Sequence, residues 1–309
     1  FALLNNIEKE FIKTISSSVV DRFNIQWLSD DCKERLLKQN DSLYDIKMTA
    51  FGILEFKVRG TAISEDKWKR KMRKLILAYL LLYPDKPLSK DKAIDLFFPD
   101  SPRESVENIF HQSISNIRNA IKPEYEQEKN SAKTKAKNGK DKEENPGFLI
   151  YEDKVLKLNH DYIYNVDINE FNKLYNLFFS PTVTPDTKLT LGLKAAALYK
   201  DEPLSGYYYD WCEELRDEYS GKFIRLCTSL IEMMMRKKMF EEVIIYSEKL
   251  LKADKLNEFA YLNLIEAHIN IDSLNRAKDI FSNMLKVFED ELGEKPSKAA
   301  MDKVMKLLS

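Results

Sequence analysis

The chain has 309 residues, 44% hydrophobic and 32% charged, with a net charge of -1; this excludes a disordered polyelectrolyte and leaves room for two or three domains with cores of their own. Eight glycines and ten prolines in a chain rich in Leu, Lys and Glu point to a largely helical protein, and no apolar stretch approaches the ~20 residues of a membrane-spanning helix. The near-neutral total hides an asymmetry: residues 1–45 carry -2, residues 46–168 carry +4 and residues 169–309 carry -3, so only the middle segment would be drawn, modestly, to a polyanion.

Residues 1–45 read as partly helical, with Leu4, Ile7, Phe11 and Ile15 at helical spacing. Phe1 rather than Met at the start makes this segment, in expectation, the remnant of or linker to an upstream domain that receives the signal. A strand follows, in which Leu54, Phe56 and Val58 alternate with Glu55, Lys57 and Arg59, and Gly60 supplies a turn. The stripe Trp68, Met72, Leu75, Tyr79 and Leu82 predicts one helix that stops before Pro84. A shorter helix is expected after Ser89, burying Ala93, Leu96 and Phe97 and halting at Pro99.

The third helix of this group has the clearest boundaries. Ser101 and Glu104 form a capping-box pair, Pro102 suits the first turn, and Pro123 ends the helix. Its buried face is Val106, Ile109, Phe110, Ser113, Ile114, Ile117 and Ile121. Residues 126–145 have essentially no apolar side chain larger than Ala and are expected to form a mobile, protease-sensitive loop. Phe148–Tyr151 and Val155–Leu158, around Glu152-Asp153-Lys154, predict a hairpin. Strand, three helices and hairpin together spell a winged helix-turn-helix. Beyond a linker at Pro181 and Pro185 everything reads as helix, with a repeat at 34 residues: Leu230 matches Leu264, Val243 matches Ala277, and Leu250-Leu251 match Met284-Leu285. That period belongs to tetratricopeptide units.

On the third helix, Asn108, Gln112, Ser115 and Asn119 oppose Phe110, with His111 and Arg118 at the margins. Such side chains offer donors and acceptors to base edges and phosphates in a major groove; Arg118, nearer the buried side, suits phosphate better than base. Six of the eight residues from Lys67 to Lys74 are basic, which makes Lys69, Arg70 and Arg73 phosphate candidates. Lys154 and Lys157 at the hairpin tip could enter a minor groove, against the acidic bias of Glu152 and Asp153. Enzyme chemistry finds no support. There is no phosphate-binding glycine loop and no HExxH; His111, His160 and His268 are isolated, and Cys32, Cys212 and Cys227 lack metal-ligand spacing. No cofactor or metal is expected. His268 and Cys227 read as packing residues, and the three scattered cysteines as reduced thiols of a cytoplasmic protein.

Several motifs resemble the Streptomyces antibiotic regulatory protein family. Trp68-Lys69-Arg70-Lys71-Met72-Arg73-Lys74-Leu75 through Leu80 resembles the first helix of its DNA-binding unit, and Ile114-Ser115-Asn116-Ile117-Arg118-Asn119-Ala120-Ile121 the end of its recognition helix. Val166-Asp167-Ile168-Asn169-Glu170-Phe171 resembles the joint to its bacterial transcriptional activation domain. Leu204-Ser205-Gly206, Trp211, Glu213-Glu214 and Arg216 are similar to that domain's first helix pair, and Glu291-Leu292-Gly293-Glu294-Lys295-Pro296-Ser297 to its closing stretch. The loop at 126–145 is longer than usual, and Ile265 stands where Ala or Gly is common.

The resulting expectation is a mainly α protein with a small β component: an OmpR-like winged helix at 46–168, then a tetratricopeptide-like activation domain at 169–309. The resemblance implies an activator that binds direct repeats in double-stranded promoter DNA near the -35 region and recruits RNA polymerase through its sigma and alpha subunits. Self-association on neighbouring repeats is the further partner it implies. The rival is a protein-interaction adaptor whose winged helix is only a docking module. A chain ending near Asn172 is expected to keep half-site binding and to lose activation, unless the helical array buttresses the winged helix.

Overall fold

A computed structural model describes residues 44–99, 102–122 and 147–308. The expectations for residues 1–43, for the loop at 126–145 and for Ser101 as a cap lie outside the described residues. The chain divides into two compact units: Phe1–Glu170 with Leu204–Trp211, and Phe171–Pro203 with Cys212–Ser309.

The first unit opens with a four-stranded sheet of β1 (Ile46–Thr49), β2 (Glu55–Val58), β3 (Thr61–Ala62) and β7 (Tyr164–Val166), in the order β3-β2-β1-β7. β1 pairs antiparallel with β2 and parallel with β7, where Ile46 faces Tyr164. Ile46, Met48, Phe56 and Val58 are buried, so the alternation read at β2 holds and extends to its neighbour. Arg59 and Gly60 both take positive φ at the β2–β3 turn, which explains the glycine.

The single helix expected from Trp68 to Leu82 is two: α1 (Glu65–Trp68) and α2 (Lys71–Leu82). The break falls at Lys69, at φ 58°, immediately after Trp68, which is buried with its ring 5.0 Å from Phe56. The expected one-sided stripe also understates α2. Ile76, Leu77, Leu80 and Leu81 are buried as well as Leu75, Tyr79 and Leu82, because the strand Val155–Leu158, β7 and three helices surround it.

α3 (Lys90–Phe97) begins as expected, with the Ser89 hydroxyl accepting from the Lys92 amide. α4 (Arg103–Ala120) has Pro102 at its cap position, one residue later than the pattern implied. The wing consists of β4 (Leu88–Ser89), β5 (Leu149–Glu152) and β6 (Val155–Leu158), in the order β4-β6-β5. Its tip is a two-residue turn with Asp153 and Lys154 both at positive φ. β4, like β1, β3 and β7, is not evident in the sequence pattern.

The residues 204–211 belong to the first unit. The Leu204 amide donates to the Ala50 carbonyl (2.8 Å) and the Ser205 amide to that of Gly52 (3.0 Å). Trp211 sets its indole edge-on to Tyr79 and Phe97, at 5.5 and 6.0 Å.

Helix α5 (Asp167–Phe179) starts in the first unit and ends in the second, as does α7 (Asp210–Arg236). The second unit adds α6 (Pro185–Leu198), α8 (Phe240–Ala253), α9 (Glu258–Asn270), α10 (Leu274–Leu292) and α11 (Lys298–Leu308). The residues matched at a spacing of 34 are buried in both members of each pair: Leu230 and Leu264, Val243 and Ala277, and Leu250 and Met284. Ile265 is fully buried in a cluster closed by Ala300 and Val304 of α11. Gly192 of α6 permits close packing, since a Cβ there would come within 2.7 Å of Leu230 and Phe178. Gly293, left-handed at φ 67°, terminates α10. The fold is thus mainly helical with a small β component, a winged helix followed by helical repeats, as expected.

Candidate nucleic-acid interface

At ~100° per residue, α4 divides into two faces. Val106, Phe110, Ser113, Ile114 and Ile117 point inward and are buried. Asn108, His111, Gln112, Ser115 and Asn119 fall within one outward stripe and are exposed. Ser105 extends this stripe one turn toward the helix start, and continuing the period from Asn108 and Gln112 would have found it.

The two margins of the stripe are held differently. On one side the Lys69 ammonium donates to Asn116 Oδ1 (3.2 Å), and the Asn116 amide donates to the Gln112 carbonyl (2.7 Å). The α1–α2 junction is thereby tied to α4, with Arg70 exposed next to it. On the other side, Arg118 Nη2 donates to the Leu149 carbonyl of β5 (3.0 Å), and the Tyr151 ring packs edge-on against His111 at 5.3 Å. The wing is thus anchored to α4 at two points. Tyr151 as the residue that orients His111 carries no sequence signal, because it depends on how the hairpin closes onto α4.

Beside the same margin, Glu107 of α4 accepts from the Lys90 ammonium at 2.6 Å. That hydrogen bond holds the carboxyl below the usual range and the ammonium above its own. The pair offsets an acidic residue next to the stripe. At the wing tip Lys154 is exposed, while Lys157 lies 3.6 Å from Glu152 across the hairpin.

Two of the candidate cations bond to carbonyls inside the unit, and one of them is buried. Arg73 is 5% exposed and donates to the Trp68 carbonyl at 3.1 Å; burial lowers its pKa. It braces the α1–α2 break from inside, so the phosphate candidates there are Lys69 and Arg70. Arg118 keeps an exposed side chain, but one guanidinium nitrogen serves the wing.

Among the described residues no group of acids, histidines and cysteines is arranged to hold a metal, and no helix is long and apolar enough to cross a membrane. Cys227 is buried, which pushes its thiol up to about 12, well away from a reactive thiolate. Both ring nitrogens of His268 lack a partner among the described residues, and burial holds its pKa below the ordinary value.

Residues 166–308 match the family described as bacterial transcriptional activator domain. The second half of the chain is thus similar to a bacterial transcriptional activator domain. The match bears out the resemblance to the Streptomyces antibiotic regulatory protein family, a family of transcription regulators rather than enzymes. None of the curated protein sequences matches the chain. Among solved structures, the one described as Mycobacterium tuberculosis EmbR in complex with low affinity phosphopeptide matches 86% of this chain, with a TM-score of 0.58 and 14% identity. This chain spans 65% of the length of that one, and at such identity the likeness concerns the fold. The segment similar to that family thus follows a unit that carries a winged helix.

Proposed function

We propose that the protein is a cytoplasmic, sequence-specific DNA-binding transcriptional activator. It binds direct repeats in promoter DNA through the winged helix and recruits RNA polymerase, through the sigma and alpha subunits, with the activation domain contributing protein contacts. The observation that carries this reading is the outward stripe of α4. From Asn108 to Asn119 it presents amide, hydroxyl and imidazole groups and no carboxylate, on a helix whose opposite face is sealed into the core. Lys69 and Arg70 stand at one side and the wing at the other, which is where backbone contacts would fix the helix in a groove.

A mobility shift comparing promoter fragments with random DNA tests it. Gln112→Ala or Asn108→Ala should cost ~1–3 kcal/mol at the cognate site and relax preference at one base position. Equal losses on cognate and random DNA would show that these residues do not read bases. Arg70→Ala should weaken both and lower the salt slope by about one, whereas Arg73→Ala should lower stability and leave the slope alone. An unchanged slope for the Arg70 variant would remove that residue from the phosphate contacts.

The adaptor reading gains from one observation: Arg73 and Arg118 donate to backbone carbonyls inside the unit. An adaptor would show no sequence preference in the same mobility shift.

A further inference from the structure

Within the second unit, the last turns of α7 and the connection from α5 to α6 line a groove of about 530 Å³. Phe178, Phe179 and Met233 give it an apolar lining. Ser229, Glu232, Met233 and Arg236 of α7 follow the spacing i, i+3, i+4, i+7, so one helical face runs along it for ~10 Å. The lining is preset rather than soft. Phe178 is buried and pressed against Gly192, and the Arg225 guanidinium lies over the Phe179 ring at 4.5 Å.

The charge at the groove runs against that of its segment. Residues 169–309 total -3, yet Lys188, Arg236 and Lys237 line the groove against a single acid, Glu232. Lys237 is already paired with Asp186 at 2.7 Å. Lys188 and Arg236 have no carboxylate partner among the described residues. An apolar floor along a helical face, flanked by two uncommitted cations, is complementary to a helix with an apolar stripe and acidic flanks.

We propose that this groove docks an acidic amphipathic helix of a partner protein. Its apolar side chains lie on Phe178, Phe179 and Met233, and its carboxylates meet Lys188 and Arg236. The proposal rests on reading the chain as an activator whose second unit contacts protein, but its test needs neither DNA nor polymerase.

The probe is a fluorescein-labelled peptide of about fifteen residues, with Leu and Phe at i, i+3, i+4 and i+7 and Asp or Glu between them. Its counterpart has Lys in place of the acids. Anisotropy with the full chain should show binding of the acidic peptide and none of the basic one. Lys188→Glu with Arg236→Glu should weaken it about tenfold. Met233→Asp should weaken it comparably, and Lys278→Glu on α10 should not change it. Equal binding of the two peptides, or equal weakening by Lys278→Glu, would overturn the proposal. So would binding of dodecanoate with none of the acidic peptide, which would make the groove a small-molecule site. A mobility shift of the Lys188/Arg236 variant keeps the two readings apart. Retained promoter binding by a chain that never binds peptide sinks the groove alone, and peptide binding by a chain that ignores promoter DNA sinks the activator reading alone.

Discussion

Trp211→Ala should unfold the winged-helix unit under conditions where the parent chain is folded, although Trp211 falls in the activation-domain part of the sequence. Trp211 is 8% exposed and sits edge-on to Tyr79 of α2 and Phe97 of α3. Removing a buried indole loses its transfer free energy and leaves a cavity, ~3–5 kcal/mol in total. Trp211→Phe separates packing from hydrogen bonding. The indole Nε1 is buried without a partner among the described residues, so a phenyl ring should keep most of the contact and remove an unpaired donor. The Phe variant is expected within ~1 kcal/mol of the parent. A chain ending at Asn172 should fail in the same way as Trp211→Ala, since it also lacks Leu204, whose amide is bonded to Ala50. The expectation that such a truncation keeps half-site binding therefore changes, while Trp211 is the earliest C-terminal end point that retains the whole unit. Urea unfolding and half-site affinity on the same samples decide it. Half-site binding at parental strength by the chain ending at Asn172 would show that Leu204–Trp211 contribute nothing to the unit.

What could be read in the sequence follows the range of the interaction responsible. Helix α4 was readable because its 3.6-residue period runs for five turns and prolines flank it. The repeats were readable because stacking demands the same buried positions every 34 residues. Strand β7 was not, because it has three residues and pairs with a strand more than a hundred residues away, Tyr164 against Ile46. The place of Trp211 was unreadable for the same reason: nothing local marks it as a neighbour of Tyr79.

The candidate site divides along the same line. The outward stripe of α4 came directly from periodicity, and its five residues are exposed. The basic run from Lys67 to Lys74 misled in part. A cluster of cations resembles one solvated face, yet the helix breaks inside it at Lys69 and resumes as α2, which is buried on almost every side. Lys69 and Arg70, at the break, remain outside; Arg73, in the first turn of α2, is carried into the core and donates to the Trp68 carbonyl. Charge pattern alone carries no information about that division, because the break is dictated by the burial of Trp68 against Phe56.

Asp167→Ala should destabilise the winged helix by about 2–4 kcal/mol, with its earliest effect at the β1–β2 connection. Asp167 is the first residue of α5, where a carboxylate is favoured by the helix N-terminus. It accepts hydrogen bonds from the Ala50 amide through both oxygens (2.9 and 3.0 Å), from the Phe51 amide (3.0 Å) and from its neighbour Ile168 (2.8 Å). One side chain thus fixes the backbone that follows β1 to the helix that follows β7, while the Asn169 amide donates to the Leu81 carbonyl at the end of α2 (3.2 Å). This gives the Val166–Phe171 motif a physical reason: its polar residues close the sheet and the central helix onto α5. Alanine leaves two largely desolvated amides unpaired, whereas Asp167→Asn keeps one acceptor oxygen and should cost roughly half as much. Hydrogen exchange provides the local readout, since the Ala50 and Phe51 amides should exchange at least about tenfold faster in the Ala variant. Activation measured at a temperature where the unit stays folded should be unchanged, because Asp167 takes no part in the stripe on α4. Unaltered protection of those two amides, with unaltered stability, would show that the hydrogen bonds to Asp167 do not hold the connection.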